Sequence, residues 1–304
     1  MQLSTPVNID STLIINHKSR FLLLGSCFAE NIGQRLKIFQ FDGEVNPFGI
    51  LFNPLSISTA LKRLIEGSEF SENELFEHKS LWHSDLHHGK FSDKSKIETL
   101  IKINASFCAA KEILPKTDFL IITFGSAQAF LKNGKIVANC HKLPENLFVR
   151  KMLTISEIVE NYCLIFNEFL KINPTAKIIL SVSPVRYLHN GIHKNSLSKA
   201  TLLLAVEELT KIFPQIIYFP AYEILLDELR DYRFFADDML HPSALAEQIV
   251  WERFAEAFFD EKTKNYLPKI DKLNKMLAHC PLHENSDEYR VFMQKVENLK
   301  MEIL

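Results

Sequence analysis

Phe21-Leu22-Leu23-Leu24-Gly25-Ser26-Cys27-Phe28-Ala29-Glu30 is an apolar run that ends on a glycine, two small polar residues and the start of a helical pattern. Continuous apolar residues without alternation suit a strand buried on both faces of a parallel sheet. The glycine permits a tight turn. A side chain placed just after it stands at a helix N-terminus, where unpaired backbone N–H groups and the helix dipole favour an anion. For a cysteine that environment raises the thiolate fraction. The plainer reading is a strand-to-helix turn in which Ser26 is an N-cap and Cys27 a small buried residue, and the stretch by itself does not choose.

Three further short runs, at residues 119–123, 178–182 and 216–219, have the same continuous apolar character. Helical patterns lie between them: residues 27–39, residues 156–172 stopping before Pro174, residues 196–213 opening on Ser196 as N-cap, and residues 243–259. Strands alternating with helices give a doubly wound α/β sheet with right-handed crossovers. In such sheets chemistry lies outside the carboxyl ends of the strands, which is where Gly25–Glu30 falls. Residues 67–112 read as an inserted loop and helix segment: polar, containing Trp82-His83-Ser84-Asp85-Leu86-His87-His88, and closing in a helix over 97–112. Asn133-Gly134 predicts a hairpin across residues 129–138. From about residue 262 the chain is lysine-rich and then helical at 270–277 and 287–303. The expected division is a catalytic domain over 1–260 and a C-terminal helical extension over 261–304, packed on the core or serving a homo-oligomer.

The 304 residues are 47% hydrophobic and 24% charged with a formal net charge of −2, so nothing global draws the chain to nucleic acid or anionic lipid. No stretch approaches the roughly 20 apolar residues of a membrane span. Met1-Gln2-Leu3-Ser4-Thr5-Pro6 lacks the basic and apolar segments of a secretory signal. Cys27, Cys108, Cys140, Cys163 and Cys280 are odd in number and irregularly spaced, which argues against a disulfide framework and for a reduced, cytoplasmic protein. Nine glycines supply no phosphate loop or dinucleotide fingerprint, and no cofactor is expected.

Phe234-Phe235-Ala236-Asp237-Asp238-Met239-Leu240-His241-Pro242-Ser243 precedes the last core helix. Three residues apart in a turn, Asp238 can orient the His241 ring and stabilise its charged form, so that His241 serves as general base to a nucleophile. The plainer alternative is an Asp N-cap beside a solvated His. Arg186, just past the run at 178–182, is placed to bind a carboxylate or phosphate, or is simply a surface arginine. His83, Asp85, His87 and His88 match no defined zinc spacing and read as a polar loop; no metal site is expected. Cys140 and His141 are adjacent, and neighbours on a strand point to opposite faces.

Taken together, a strand-Gly-(small polar pair)-helix near the start and Asp-x-x-His before the last core helix resemble the SGNH (GDSL-like) hydrolase superfamily. More closely, the chain resembles the GSCFA family, on Gly25-Ser26-Cys27-Phe28-Ala29, Asn46-Pro47-Phe48-Gly49, Val137-Ala138-Asn139-Cys140-His141-Lys142, Ser181-Val182-Ser183-Pro184-Val185-Arg186 and residues 222–242. The resemblance implies a three-layer flavodoxin-like fold and ester hydrolysis or acyl transfer, often on carbohydrate- or lipid-linked acyl groups. An ungapped match to the superfamily's Gly-Asp-Ser turn lays Cys27 on the nucleophile and Ser26 on a turn residue. A shift by one makes Ser26 the nucleophile but breaks the matches at Gly25 and Glu30. By the same resemblance, Cys27 N–H and Gly49 supply oxyanion donors and Gly125 matches the glycine of Gly-x-Asn-Asp. Ala127 stands where that motif has Asn, leaving Gln128, Asn139 and His141 as candidates for the third donor. The resulting expectation is a Cys/Ser–His–Asp esterase or acyltransferase acting on a small-molecule or glycan ester. The rival is a catalytically altered glycan- or ligand-binding module on the same scaffold.

Overall fold

The computed structural model describes residues 5–9, 11–279 and 286–303; residues 1–4 of the N-terminal reading and Cys280 lie outside them. In chain order the elements are β1 (Arg20–Gly25), α1 (Cys27–Ile38), β2 (Asp42–Val45), α2 (Pro54–Glu66), β3 (Leu75–His78), β4 (Leu81–Ser84), α3 (Lys96–Ile113) and β5 (Phe119–Phe124). Then come β6 (Gln128–Lys132), β7 (Lys135–Val137), β8 (Val149–Met152), α4 (Ile155–Ile172), β9 (Lys177–Val182), α5 (Ile192–Ile212) and β10 (Ile216–Phe219). A one-turn α6 (Ala221–Glu223), α7 (Ala244–Phe258), α8 (Glu261–Leu277) and α9 (Asp287–Ile303) complete the chain.

Five strands form a parallel sheet in the order β2-β1-β5-β9-β10. Counting only these strands the order is 2-1-3-4-5, the flavodoxin-like winding, and its switch point lies between β1 and β5. The strands alternate between two cores. Leu22, Leu24, Leu120, Ile122, Ile178 and Leu180 face one core with α2 to α5, whereas Phe21, Leu23, Phe119, Ile121 and Ile179 face the other with α1 and α7. Burial of both faces explains why each run is continuously apolar. The result is three layers, helix, sheet and helix.

The structure corrects one element boundary. α5 begins at Ile192, after Gly191 at φ +84°, rather than at Ser196, whose hydroxyl donates back to Ile192 O at 3.2 Å inside the helix. A serine at this spacing mimics a cap without being one. In the segment 67–112 the closing helix forms as α3, and its Ile103, Phe107 and Ala110 pack into the same core as Leu22 and Leu24. The β3–β4 hairpin and the loop after it are what stand outside the layers. The Asn133-Gly134 hairpin forms as read, joining β6 to β7 with φ of 52° and 75° at the two turn residues. α8 docks through buried Ile270 and Leu273, and Asn274 Nδ2 donates to Ile38 O at 2.9 Å. α9 lies along α8, with Lys269 and Glu302 3.7 Å apart. Among the described residues no helix is long and apolar enough to cross a membrane.

Gly25 is the residue that lets β1 turn into α1. Its φ is +145°, and a Cβ there would lie 2.3 Å from Thr123 O on the neighbouring strand. Gly25→Ala is therefore expected to destabilise the fold by roughly 3 kcal/mol, strain and overpacking together. The shift of the urea midpoint measures this, and an unmoved midpoint would contradict the close approach.

Candidate active site

The turn at Gly25–Glu30 is held from both sides. Gly25 N–H donates to Asn46 Oδ1 at 2.8 Å, Asn46 Nδ2 donates to Glu30 Oε2 at 2.7 Å, and Ser26 N–H donates to Thr123 O at 3.2 Å. Cys27 is the first residue of α1. Ser26 precedes it but its side chain makes no capping bond, so the N–H groups of the first turn stay open around the thiol. The Ser26 hydroxyl is buried, 1% of the residue being exposed, and has no hydrogen-bond partner among the described residues. Cys27 is partly exposed. Burial pushes the Cys27 thiol above its ordinary pKa; the Phe28 and Cys27 N–H groups and the charge of Lys199 pull it down, and Glu247 pushes it up.

His241 and Asp238 form a bonded pair on the loop before α7. His241 Nδ1–H donates to Asp238 Oδ2 at 2.6 Å, while the Leu240 and His241 backbone N–H groups donate to Asp238 Oδ1 at 2.9 and 3.0 Å. Those donors, the backbone of His241 first, hold the Asp238 carboxyl down at about 2. The pair is half exposed. Its geometry leaves His241 Nε2 unprotonated in the neutral ring. Among the described residues no hydrogen bond joins Cys27 to His241. The loop is nevertheless tied to the strand ends: Arg186 N–H, past β9, donates to Leu240 O at 3.1 Å. Glu247, in the first turn of the helix after His241, is near enough to act on the Cys27 thiol.

The oxyanion assignments fare differently. Gly49 N–H donates to Asn46 O at 2.7 Å within its own turn, so the proton expected for an oxyanion is already used. Gly125 N–H donates to Phe52 O at 2.8 Å, and a Cβ on Gly125 would sit 3.0 Å from that oxygen and 3.3 Å from Ser26 Cβ. Gly125 thus lets the end of β5 pack on the Gly25–Glu30 turn rather than donate into it. His141 Nε2–H donates to Ser84 O at 2.9 Å, and Asn139 Oδ1 accepts from His141 N–H at 2.8 Å. His141 is at φ +48° in a turn, not on a strand beside Cys140. Gln128 opens β6, half-buried. None of these side chains hydrogen-bonds to residues 25–30 among the described residues. The backbone N–H groups that do lie around Cys27 are those of α1's own first turn.

The histidines of the hairpin region are packed, not gathered on a common point. His83 pairs with Ser92 Oγ at 2.6 Å and His87 with Ser84 Oγ at 2.9 Å. Burial pushes His87 down to about 3 and His141 down to about 4, so both are neutral rings at physiological pH. Among the described residues no group of three or more His, Cys, Asp or Glu is arranged to hold a metal ion.

Two residues packed around this turn had no role assigned to them from the sequence. Asn46 links Gly25 to Glu30, and nothing local marks it beyond its place in Asn46-Pro47-Phe48-Gly49. Lys199 is buried on α5, and its Nζ donates to Gly125 O and Ser183 O, each at 2.6 Å. A signal for it existed: Lys199 shares the helix face of Leu202, Val206 and Leu209. Beside the His241 loop, a cleft of about 360 Å³ is lined by Arg186, Arg230, Tyr232 and Phe235 among others. A groove of about 1020 Å³ between α1, α7 and α8 contains none of the expected site residues.

No curated protein matches the chain in sequence. Among solved structures it is similar to a carbohydrate esterase family 3 protein from Talaromyces cellulolyticus, with a TM-score of 0.36 and 11% identity over 84% of this chain and 98% of that one. An acetyl xylan esterase from the rumen bacterium Butyrivibrio proteoclasticus gives a TM-score of 0.40 and 11% identity over 84% of this chain and 66% of that one. A family two carbohydrate esterase from Clostridium thermocellum gives 0.34 and 12%, over 87% and 68%. The sequence pattern of the GSCFA family matches residues 20–254, which include the Gly25–Glu30 turn, the strand ends and the Asp238–His241 loop: the chain belongs to the GSCFA family.

Proposed function

We infer that the protein is an acyl-ester hydrolase or acyltransferase with Cys27 as nucleophile, its chemistry carried by residues 1–260. The observation that carries this reading is the 2.6 Å bond from His241 Nδ1–H to Asp238, which frees Nε2 to take a proton, on a loop tied to the strand ends where Cys27 opens an uncapped helix. Cys27 Sγ attacks the acyl carbonyl carbon as its proton passes to His241 Nε2. The negative oxygen that develops is stabilised by the open N–H groups of α1's first turn. The tetrahedral species collapses, the C–O bond to the leaving alcohol breaks, and His241 returns the proton to that oxygen. Water or an acceptor hydroxyl then takes the acyl group from the thioester by the same route in reverse. Asp238 orients the ring and stabilises its charged form. Ser26, whose hydroxyl is buried, supports the turn. Resemblance to SGNH hydrolases points to a carbohydrate- or lipid-linked acyl ester. The four cysteines in the described residues, Cys27 among them, are free, as a thiol nucleophile in a reduced cytoplasmic setting requires.

The test is turnover of an aryl acetate together with labelling by a thiol-directed acyl probe. Turnover with an adduct on the Cys27 peptide is expected. A well-folded protein that does neither would instead be a binding module.

The cleft beside His241 bears on substrate choice. Arg186 stacks over Phe235 at 4.8 Å and Arg230 is exposed, and among the described residues neither is paired with a carboxylate. Guanidinium groups in this arrangement suit a carboxylate or phosphate on the substrate. Arg186→Ala is expected to raise KM about tenfold for an anionic ester, the loss of one charge-assisted bond, and to leave a neutral ester of the same acyl group unchanged. Equal effects on both esters would contradict this.

A further inference from the structure

Asn46 follows β2 and is 1% exposed. All four of its polar groups are bonded. Its backbone N–H donates to Leu23 O at 2.9 Å, and its carbonyl accepts from Gly49 N–H at 2.7 Å. In the side chain, Oδ1 accepts from Gly25 N–H at 2.8 Å and Nδ2 donates to Glu30 Oε2 at 2.7 Å. The backbone stands at φ +46°, a left-handed conformation that Asn and Asp adopt more readily than other side chains. One buried amide therefore spans from the last residue of β1 to the first turn of α1, and Cys27 lies between its two contacts. Glu30 is the acidic residue of that first turn, where open N–H groups attract a carboxylate. Side chains take both of its oxygens instead: Oε2 accepts from Asn46, while Oε1 lies 3.5 Å from Gln34 Nε2 and 3.6 Å from Lys90 Nζ. Lys90 belongs to the loop before α3, which His88 N–H ties to the same turn by donating to Phe48 O at 2.8 Å.

We propose that Asn46 is the positioning residue of the Gly25–Glu30 turn, its amide fixing Cys27 between two hydrogen bonds and holding the Glu30 carboxylate off the open N–H groups of α1. Asn46 acts through Cys27 and those N–H groups. A carboxylate released into the first turn would occupy them as an internal anion. It would also oppose the negative charge that forms on the Cys27 sulfur and on the acyl oxygen. Lys90 is the weaker partner of Glu30, because its ion pair is partly exposed and screened by solvent. This role rests on Cys27 as the nucleophile, the reading given above. Thiol reactivity towards an alkylating agent reads it without an ester, so the clamp and the acyl chemistry can fail separately.

The experiment inverts the bond between Asn46 and Glu30 in the full chain. Asn46→Asp keeps the acceptor for Gly25 N–H and tolerates the left-handed backbone, but sets two carboxylates face to face. On an aryl acetate, kcat is expected to fall about 100-fold with KM within about threefold, the cost of a misplaced reacting group. Iodoacetamide alkylation of Cys27 at neutral pH, resolved by peptide mass mapping, should slow about tenfold beside the added charge. Adding Glu30→Gln rebuilds the bridge in the opposite sense, the new amide donating to the new carboxylate, with the net charge of the pair unchanged. Both rates are then expected to recover to within about fivefold of the unaltered protein. A merely structural amide would move the urea midpoint and leave the kcat and thiol rate of folded Asn46→Asp in place; that result would overturn the proposal. So would a folded double variant no faster than Asn46→Asp. A second pair avoids facing carboxylates. Asn46→Ala frees Glu30, and Asn46→Ala/Glu30→Gln, which removes its charge, should alkylate at least about threefold faster than Asn46→Ala. Equal rates there would also overturn it. Absence of ester turnover in the unaltered protein would refute the acyl reading, and the alkylation rates alone would then decide on the clamp.

Discussion

Cys27→Ala is expected to lower kcat on an aryl ester by roughly 10⁴-fold, because removing a nucleophile leaves only binding and oxyanion stabilisation. Ser26→Ala is expected to stay within about threefold, since a substitution that removes no reacting group leaves transition-state binding intact. The contrast follows from placement. Cys27 is partly exposed at the start of α1, where the open N–H groups of the helix meet it. Ser26, one residue earlier, faces the packed end of β5 near Gly125. Its hydroxyl is buried and unpartnered, so alanine at that position also removes an unsatisfied polar group and is expected to leave stability unharmed. A dead Ser26→Ala and an active Cys27→Ala would reverse the assignment.

His241→Ala is the second large effect, an expected loss of about 10³-fold, in the range that general acid–base groups contribute. KM should change little, because the ring acts on the proton and not on substrate binding. Added imidazole should restore part of the rate. Asp238→Asn tests the partner: the amide cannot accept the Nδ1 proton in the same way, and the ring loses its tautomer. The sign of the pH dependence is set by the Asp238 carboxyl, held down at about 2 by the backbone N–H groups of His241 and Leu240. A depressed carboxylate stays ionised above that value, so the orienting contact persists across the working range and is lost only as pH falls towards 2. Any fall in kcat at mildly acidic pH therefore belongs to another group. A loss of the His241–Asp238 contact by NMR between neutral pH and about pH 4, above the range where an aspartate so held would protonate, would contradict this.

The layers of the fold were legible because each strand is apolar on both faces. Leu22 and Leu24 go to one core and Phe21 and Leu23 to the other, a division that a continuous run encodes directly. The last core helix was legible over residues 243–259 from its helical pattern, and in the structure Ser243 caps it, accepting from Ala246 N–H. Asp238 and His241 were legible because three-residue spacing in a turn is a local property. What failed was non-local. Gly49 and Gly125 mark two turns correctly, but the acceptors of their N–H groups, Asn46 O and Phe52 O, come from chain geometry that no spacing reveals. α3 was legible as a helix, but that its Ile103 and Phe107 complete the core is a tertiary fact its own polar surroundings do not reveal. Lys199 was passed over because its neighbours on α5 made a good apolar face. A lysine on such a face is expensive to bury, and that cost is the clue the periodicity alone hides.

The central claim is an acyl group carried on the Cys27 sulfur. Rapid mixing with an aryl acetate, acid quench and peptide mapping by mass spectrometry tests it directly. The account predicts an acetyl thioester on the peptide containing Cys27, lost on treatment with hydroxylamine and absent from Cys27→Ala. An acetyl oxygen ester on Ser26, or turnover with the Cys27 sulfur free at every time point, would contradict it.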